Sequence, residues 1–174
     1  MGSGNVGTMN AFEVTNSRSL GVAILVVDMV KGVIPVFISM TIWQAEFSVA
    51  SISGVGAIVG HNYPVWLKFR GGRGLATAAG VMLVLGPLFV VIWCLLWTAS
   101  YLISKHIHLS SILASVLGPI PAVALPGRLL DAVLPSYASA PGFSFLVVVC
   151  CTLILLRHFD AVRELAHSFF KQSL

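Results

Sequence analysis

Apolar runs separated by short polar ones fill nearly the whole chain. Residues 20–43 form the first run, long enough as a helix to reach roughly 36 Å and so to cross a bilayer with some tilt. Asp28 and Lys31 interrupt it three residues apart, on one helix face. Residues 47–60 are shorter and rich in Ser, Gly and Ala, with Gly56 and Gly60 at the spacing that favours close helix packing. After a polar segment, HNYPVWLKFRGGRG, residues 75–103 are almost wholly apolar and broken at Gly86-Pro87. Residues 109–125, with Pro119 and Pro121, make another run, and residues 126–142 a loop holding Arg128 and Asp131. Residues 143–156 close the apolar pattern, and RHFDAVRELAHSFFKQSL continues it as a helical extension that meets water. The expected class is all-α, a polytopic membrane bundle.

Composition sharpens this. Hydrophobic residues make up 57% of the 174, charged ones only 9%, and mean hydropathy is +0.97. Soluble domains carry about 25% charged residues, so this chain cannot cover a water-facing surface. Charge then sets the topology. Lys68, Arg70, Arg73, Arg157, Arg163 and Lys171 belong on the cytoplasmic side. One helix over residues 75–103 would split these clusters between two faces. Two segments turning near Gly86-Pro87 return them all to one face, with Arg18 and Lys105. The reading is therefore one domain over residues 1–174, six membrane segments and both termini cytoplasmic. The first of the two segments is short for a span and is expected either to be tilted or to be partly sunk in the bundle rather than in lipid. Cys94, Cys150 and Cys151 lie inside apolar runs and read as packing residues, not as a disulfide framework or a zinc site.

Three polar segments then share one face. In the opening GSGNVGTMNAFEVTNSR, Gly4 and its neighbours let backbone N–H groups converge on an anion, Ser3, Asn5 and Asn10 add neutral donors, and Arg18 adds charge. A flexible tail is the plainer reading of this stretch taken alone. In GHNYPVWLKFRGGRGLAT, Gly71, Gly72 and Gly74 bracket Arg73, with Lys68 and Arg70 close by and a helix starting near Leu75. Backbone donors, a positive helix end and three cations suit a phosphate. The spacing is not that of a Walker A loop, and a lipid-headgroup anchor is the alternative. In LRHFDAVRE, Arg157 and His158 stand at the end of a membrane run, and a histidine there can serve as acid or base near neutral pH. His106 and His108 flank Ile107 and read as interfacial. Asp28 and Lys31 either satisfy each other or Lys31 projects toward the anion site.

Together these segments resemble the acyl-phosphate-dependent glycerol-3-phosphate acyltransferases of bacterial membranes, the family commonly called PlsY. GHNYPVWLKFRGGRGLAT is similar to the family's GHxxPxFLxFKGGKGxAT, with arginine for lysine at Arg70 and Arg73, and it ends on Thr77. GSGNVGTMN resembles GSGNxGATN, DMVKGVIPV matches a stretch of the following helix, LSSILAS resembles the family's SLASI segment at Ser111, and LRHF opens the last motif. The resemblance implies a bundle of seven helices with its active site at the cytoplasmic face of the bacterial inner membrane. It implies acyl transfer from acyl phosphate to the 1-hydroxyl of sn-glycerol 3-phosphate, giving lysophosphatidate and phosphate. Neither cofactor nor metal is implied, nor a nucleic-acid partner; the partners are the two small substrates and membrane lipid.

An acyl phosphate is already activated, so the protein needs no nucleophile of its own, only positioning and oxyanion stabilisation. Carried over residue by residue, the catalytic set is Ser3, Arg73, Ser111 and His158. The phosphate-binding set is Gly4, Asn5, Asn10, Arg18, Lys31, His61, Lys68, Arg70, Gly71, Gly72, Gly74, Thr77 and Arg157. His158 or His61 would relay the proton, or a substrate phosphate oxygen would take it. The sequence departs from the family pattern at Met9, at Glu13 where the family has arginine, and at Ala161, beside Asp160, where it has asparagine. The family's first helix is also missing ahead of the opening motif, so the chain is expected to be N-terminally truncated relative to the family. Two other readings stay open: an inactive relative that keeps the fold, and a small transporter of an organic phosphate.

Overall fold

The computed structural model describes residues 6–172, with side chains described to Phe159. The described residues form α1 (Thr8–Thr15), α2 (Arg18–Thr41), α3 (Phe47–Asn62), α4 (Leu75–Leu85), α5 (Pro87–Ser104), α6 (Ile107–Leu117), α7 (Pro119–Ala124), α8 (Gly127–Asp131) and α9 (Ala140–Gln172). No strand occurs among them.

Among the described residues, four stretches are long and apolar enough to cross a membrane: Arg18–Thr41, Pro87–Ser104, Ile107–Ala124 and Ala140–Phe159. α6 and α7 form the third, joined through Gly118, whose backbone is itself helical. The expected break at Gly86-Pro87 is present, because Pro87 suits a first helical position and ends any helix before it. α4 spans only 11 residues, about 16 Å, and cannot cross alone. It is sunk in the bundle, packed on α2, α3 and α5. Leu85 at its end is buried, and at the rim the half-exposed Tyr137 hydroxyl donates to Val84 O at 2.6 Å. Burial raises the pKa of that phenol above its ordinary value, which keeps it a donor.

Glycines decide how closely the central helices approach. A Cβ on Gly80 would strike Met29 O, and one on Gly32 would strike Thr77 O, so α2 and α4 meet backbone to backbone. On α3 the close approach falls on Gly54, where a Cβ would lie 2.6 Å from Val81 Cγ1. Gly56 and Gly60, which the spacing suggested for this role, have nothing near them. Their side of α3 faces away from α2 and α4, so spacing alone chose the wrong glycines. Ser39 and Ser53 share a hydrogen bond of 2.7 Å between α2 and α3. The opening segment is not all loop: α1 follows Gly7 and packs on α2. On the far side, Asp131 Oδ1 accepts from Ala140 N at 2.9 Å and caps the start of α9.

Candidate active site

One set of helix ends surrounds a cavity of about 500 Å³. α1 contributes Asn10 and Glu13, α2 Leu25, Asp28 and Met29, and α4 with its approach Arg73, Gly74, Leu75, Ala76 and Ala79. α5 adds Trp93 and Trp97, α6 His108 and Ser111, α3 His61 and α9 His158. The cavity is thus polar toward α1 and the start of α4 and apolar toward α5. All three motif segments reach it, although they are far apart in sequence.

His158 is buried, and its Nδ1 lies 2.8 Å from Ile154 O. A carbonyl only accepts, so Nδ1 carries the proton, and in the neutral ring Nε2 is left with a lone pair. That Nε2 is buried and has no hydrogen-bond partner in the structure. This is the arrangement a proton acceptor requires. Arg73 Nη1 lies 2.8 Å from His108 Nδ1 and 3.1 Å from His108 Nε2. Nearness to both nitrogens places the guanidinium against the face of the ring. The His108 and His158 rings are 6.4 Å apart, edge to face. On sequence alone His108 reads as interfacial. The available signal was its position three residues before Ser111, on the same helix face.

The paired glycines serve the fold before they serve an anion. Gly71 N donates to Asn62 O and Gly72 N to His61 O, each at 3.2 Å, so these two amides are already engaged. A Cβ on Gly71 would hit His61 O, and one on Gly72 would hit His61 Nε2. Gly74 has φ +79°, and a Cβ there would lie 2.6 Å from Asn62 Oδ1. Glycine is required at these positions because the loop lies on the end of α3. What this packing delivers to the cavity is the start of α4, where Gly74, Leu75 and Ala76 line the wall and unpaired first-turn amides favour negative charge. Arg157, expected to bind phosphate, instead clamps this loop: Nε donates to Gly72 O at 3.1 Å and Nη2 to Gly71 O at 2.8 Å. Its guanidinium also covers the Tyr63 ring at 5.3 Å.

Several expected residues are not brought to the cavity. Lys68 and Arg70 are exposed and outside its lining. The chain turns outward at Val65–Leu67, and Lys68 and Phe69 take left-handed φ of 52° and 62°. Arg18 opens α2 after the Ser17 cap and is exposed, while Glu13 takes a place in the cavity wall. Lys31 is held by Asp28, Nζ to Oδ1 at 2.8 Å, with its side chain 54% exposed. Thr77 is buried on the α2 side of α4, outside the lining. His61 does line the cavity, its Nδ1 3.4 Å from Asp28 Oδ1. Ser111 lines it too, but its hydroxyl is engaged: it donates to Ile107 O at 3.0 Å and accepts from Trp97 Nε1 at 3.1 Å. Ser3, Gly4 and Asn5 lie outside the described residues.

Comparison with known proteins gives one consistent result. Residues 1–168 match the sequence family described as glycerol-3-phosphate acyltransferase. The glycerol-3-phosphate acyltransferase of Agrobacterium fabrum is 37% identical over 120 residues, 69% of this chain and 57% of that protein. That of Streptococcus pyogenes serotype M5 is 29% identical over 166 residues, 95% of this chain and 75% of that protein. Among solved structures, PlsY (YgiH), an integral membrane glycerol 3-phosphate acyltransferase, superposes in its glycerol 3-phosphate form with TM-score 0.77 and 29% identity. That match covers 96% of this chain and 77% of the other. Its lysophosphatidic acid form gives TM-score 0.76 at the same identity. With the motifs, the helical order and the cavity in agreement, the chain belongs to the glycerol-3-phosphate acyltransferase family.

Proposed function

We propose that this chain transfers a fatty acyl group from acyl phosphate to the 1-hydroxyl of sn-glycerol 3-phosphate, releasing lysophosphatidate and inorganic phosphate, at the cytoplasmic face of the bacterial inner membrane. The observation that carries the reading is the cavity itself. It joins a polar end, where Arg73, three histidines and the amides that open α4 stand with Asp28 and Glu13, to an apolar end walled by Leu25, Met29, Trp93 and Trp97. Two phosphate-bearing substrates need the first end, and a fatty chain needs the second. Solved relatives in glycerol 3-phosphate and lysophosphatidic acid forms support the acceptor and the product. The exposed cations Arg18, Lys68, Arg70 and Lys105 at the same end of the helices support the cytoplasmic side.

In this reading His158 Nε2 takes the proton of the 1-hydroxyl as its oxygen attacks the acyl carbonyl. The carbonyl electrons move onto oxygen, and the negative tetrahedral centre forms beside Arg73 and the first amides of α4. Collapse breaks the bond from carbon to the phosphate oxygen, phosphate leaves with its electron pair, and His158 gives up its proton to that phosphate. No residue is acylated, because the leaving group is already good. Arg73 also neutralises repulsion between the two bound anions, which is the main obstacle to bringing them together.

The test uses purified protein in lipid with palmitoyl phosphate and glycerol 3-phosphate, following phosphate and lysophosphatidate together. Both are expected in equal amounts, with His158→Ala slowed at least about a hundredfold. Phosphate release without lysophosphatidate would replace transfer by hydrolysis, and no turnover by the natural sequence would overturn the assignment in favour of an inactive relative.

A further inference from the structure

Arg73 and His108 meet across a gap in the bundle. Arg73 stands in the loop ahead of α4 and His108 in the first turn of α6, and α4 and α6 have no substantial packing on each other. The two side chains bridge that gap. Arg73 Nη1 is 2.8 Å from one ring nitrogen of His108 and 3.1 Å from the other. In the ring plane an atom that near to both would strike the carbon between them, so the guanidinium nitrogen lies over the face. The same ring meets His158 edge to face, and all three residues line the cavity.

The motifs single out the same two positions. GGKG sets lysine where Arg73 stands, and SLASI, laid on this chain with its second serine at Ser111, sets its first serine where His108 stands. Both residues differ from the pattern, and they differ in chemically matched ways. An ammonium is a compact, strongly hydrated point charge, which a serine hydroxyl holds by accepting a hydrogen bond. A guanidinium is planar and weakly hydrated, and it rests on a ring face. Resting on the acyltransferase reading, we infer that His108 is the positioning residue for Arg73, and that arginine and histidine act here as one matched pair in place of lysine and serine. The ring fixes the guanidinium in the cavity wall beside His158. Arginine reaches one bond further than lysine, into a wall that also carries Glu13 and Asp28. Without the ring those carboxylates compete for it, and the charge turns away from the acyl carbonyl whose developing oxyanion it has to meet. The ring face, not a nitrogen lone pair, carries the contact.

The test compares the natural sequence in lipid with Arg73→Lys, His108→Ser and the variant carrying both, given palmitoyl phosphate and glycerol 3-phosphate. Each single exchange leaves a mismatched pair. It should lower kcat about tenfold, with KM for glycerol 3-phosphate changed less than about threefold, because the charge stays and only its aim is lost. The double exchange restores a matched pair and should be faster than either single variant, within about threefold of the natural sequence. Losses that multiply, leaving the double variant about a hundredfold down, would overturn the pairing. His108→Phe keeps a ring face without nitrogens and should recover most of what His108→Ser loses. If it is as slow as His108→Ser, the nitrogens do the work and the proposal fails. Ring-nitrogen NMR shifts of the histidines in detergent read the contact with no substrate present, the His108 signals being assigned by their loss in His108→Ser. They should move in Arg73→Lys, and signals that stay in place would overturn the contact. If the natural sequence turns over no acyl phosphate, the reaction assignment fails, while the nitrogen shifts still decide whether His108 holds Arg73.

Discussion

α4 and α5 are joined at Gly86, and both are almost wholly apolar, yet one is the centre of the bundle and the other its skin. Thr77, Ala78, Gly80, Val81, Met82 and Leu85 are buried on α4, whereas Phe89 alone is buried on α5. Hydropathy cannot separate them, since lipid and protein interior are equally apolar. Side-chain size does. α4 begins LATAAG, which lets the backbones of α2 and α3 approach closely, while α5 carries Phe, Trp and Leu, which fill lipid-facing space. The inner helix also reaches the cavity's polar end, with Arg73 ahead of its start. The outer helix contributes only the apolar wall.

The harshest way to break this comparison is to thicken the inner helix. Gly80→Ala sets a methyl group against Met29 O, a backbone atom that cannot move without shifting α2. The expected loss exceeds about 4 kcal/mol, read as no monodisperse protein by size exclusion in detergent. Leu95→Ala on α5, at a position 64% exposed, should change stability by less than about 0.5 kcal/mol. Equal melting temperatures for the two variants would mean that α4 is not the packing centre.

The next test moves to the residue ahead of α4. Arg73→Ala should lower kcat/KM for glycerol 3-phosphate at least about a hundredfold, the usual cost of removing a donor from a developing negative charge. Arg70→Ala and Lys68→Ala, exposed on the outward turn, should each cost less than about threefold. If all three cost the same, the segment acts through overall positive charge, and its fine geometry is irrelevant.

That contrast also marks what the sequence could tell. The motifs named the right segments, and hydropathy with charge bias gave the helical class and the break at Gly86-Pro87. Within the segments, residue type was a poor guide to direction. Lys68, Arg70 and Arg73 look alike as cations, and only the left-handed turn at Lys68 and Phe69 decides which of them faces the cavity. Glycine spacing pointed to Gly56 and Gly60, but close approach depends on which face meets a neighbour, a tertiary fact. His108 was passed over because a histidine beside a membrane run is usually interfacial, and its partner Arg73 is 35 residues away.

A gentler change acts on the loop that delivers α4. Arg157 holds the carbonyls of Gly71 and Gly72 with two different nitrogens, a forked contact that lysine cannot make. Arg157→Lys keeps the charge and is expected to lower kcat about tenfold, with KM for glycerol 3-phosphate changed less than twofold, because the site is misplaced rather than discharged. A rise in KM with kcat unchanged would mean that Arg157 touches substrate phosphate directly.

The smallest expected effect belongs to the outer helix and decides what Ser111 is for. By resemblance it belongs among the catalytic residues, yet its hydroxyl is committed to Ile107 O and to the Trp97 indole. If its work is to brace that indole, Ser111→Ala removes one neutral hydrogen bond, worth about 1 kcal/mol. Activity should then fall about fivefold. Trp97→Phe, which deletes the other half of the same bond, should fall by a similar factor, and the double variant should be little worse than either. A drop beyond a hundredfold in Ser111→Ala alone would show that the hydroxyl leaves Trp97 to meet substrate. α5 and α6 would then share the chemistry that the comparison assigns to the start of α4.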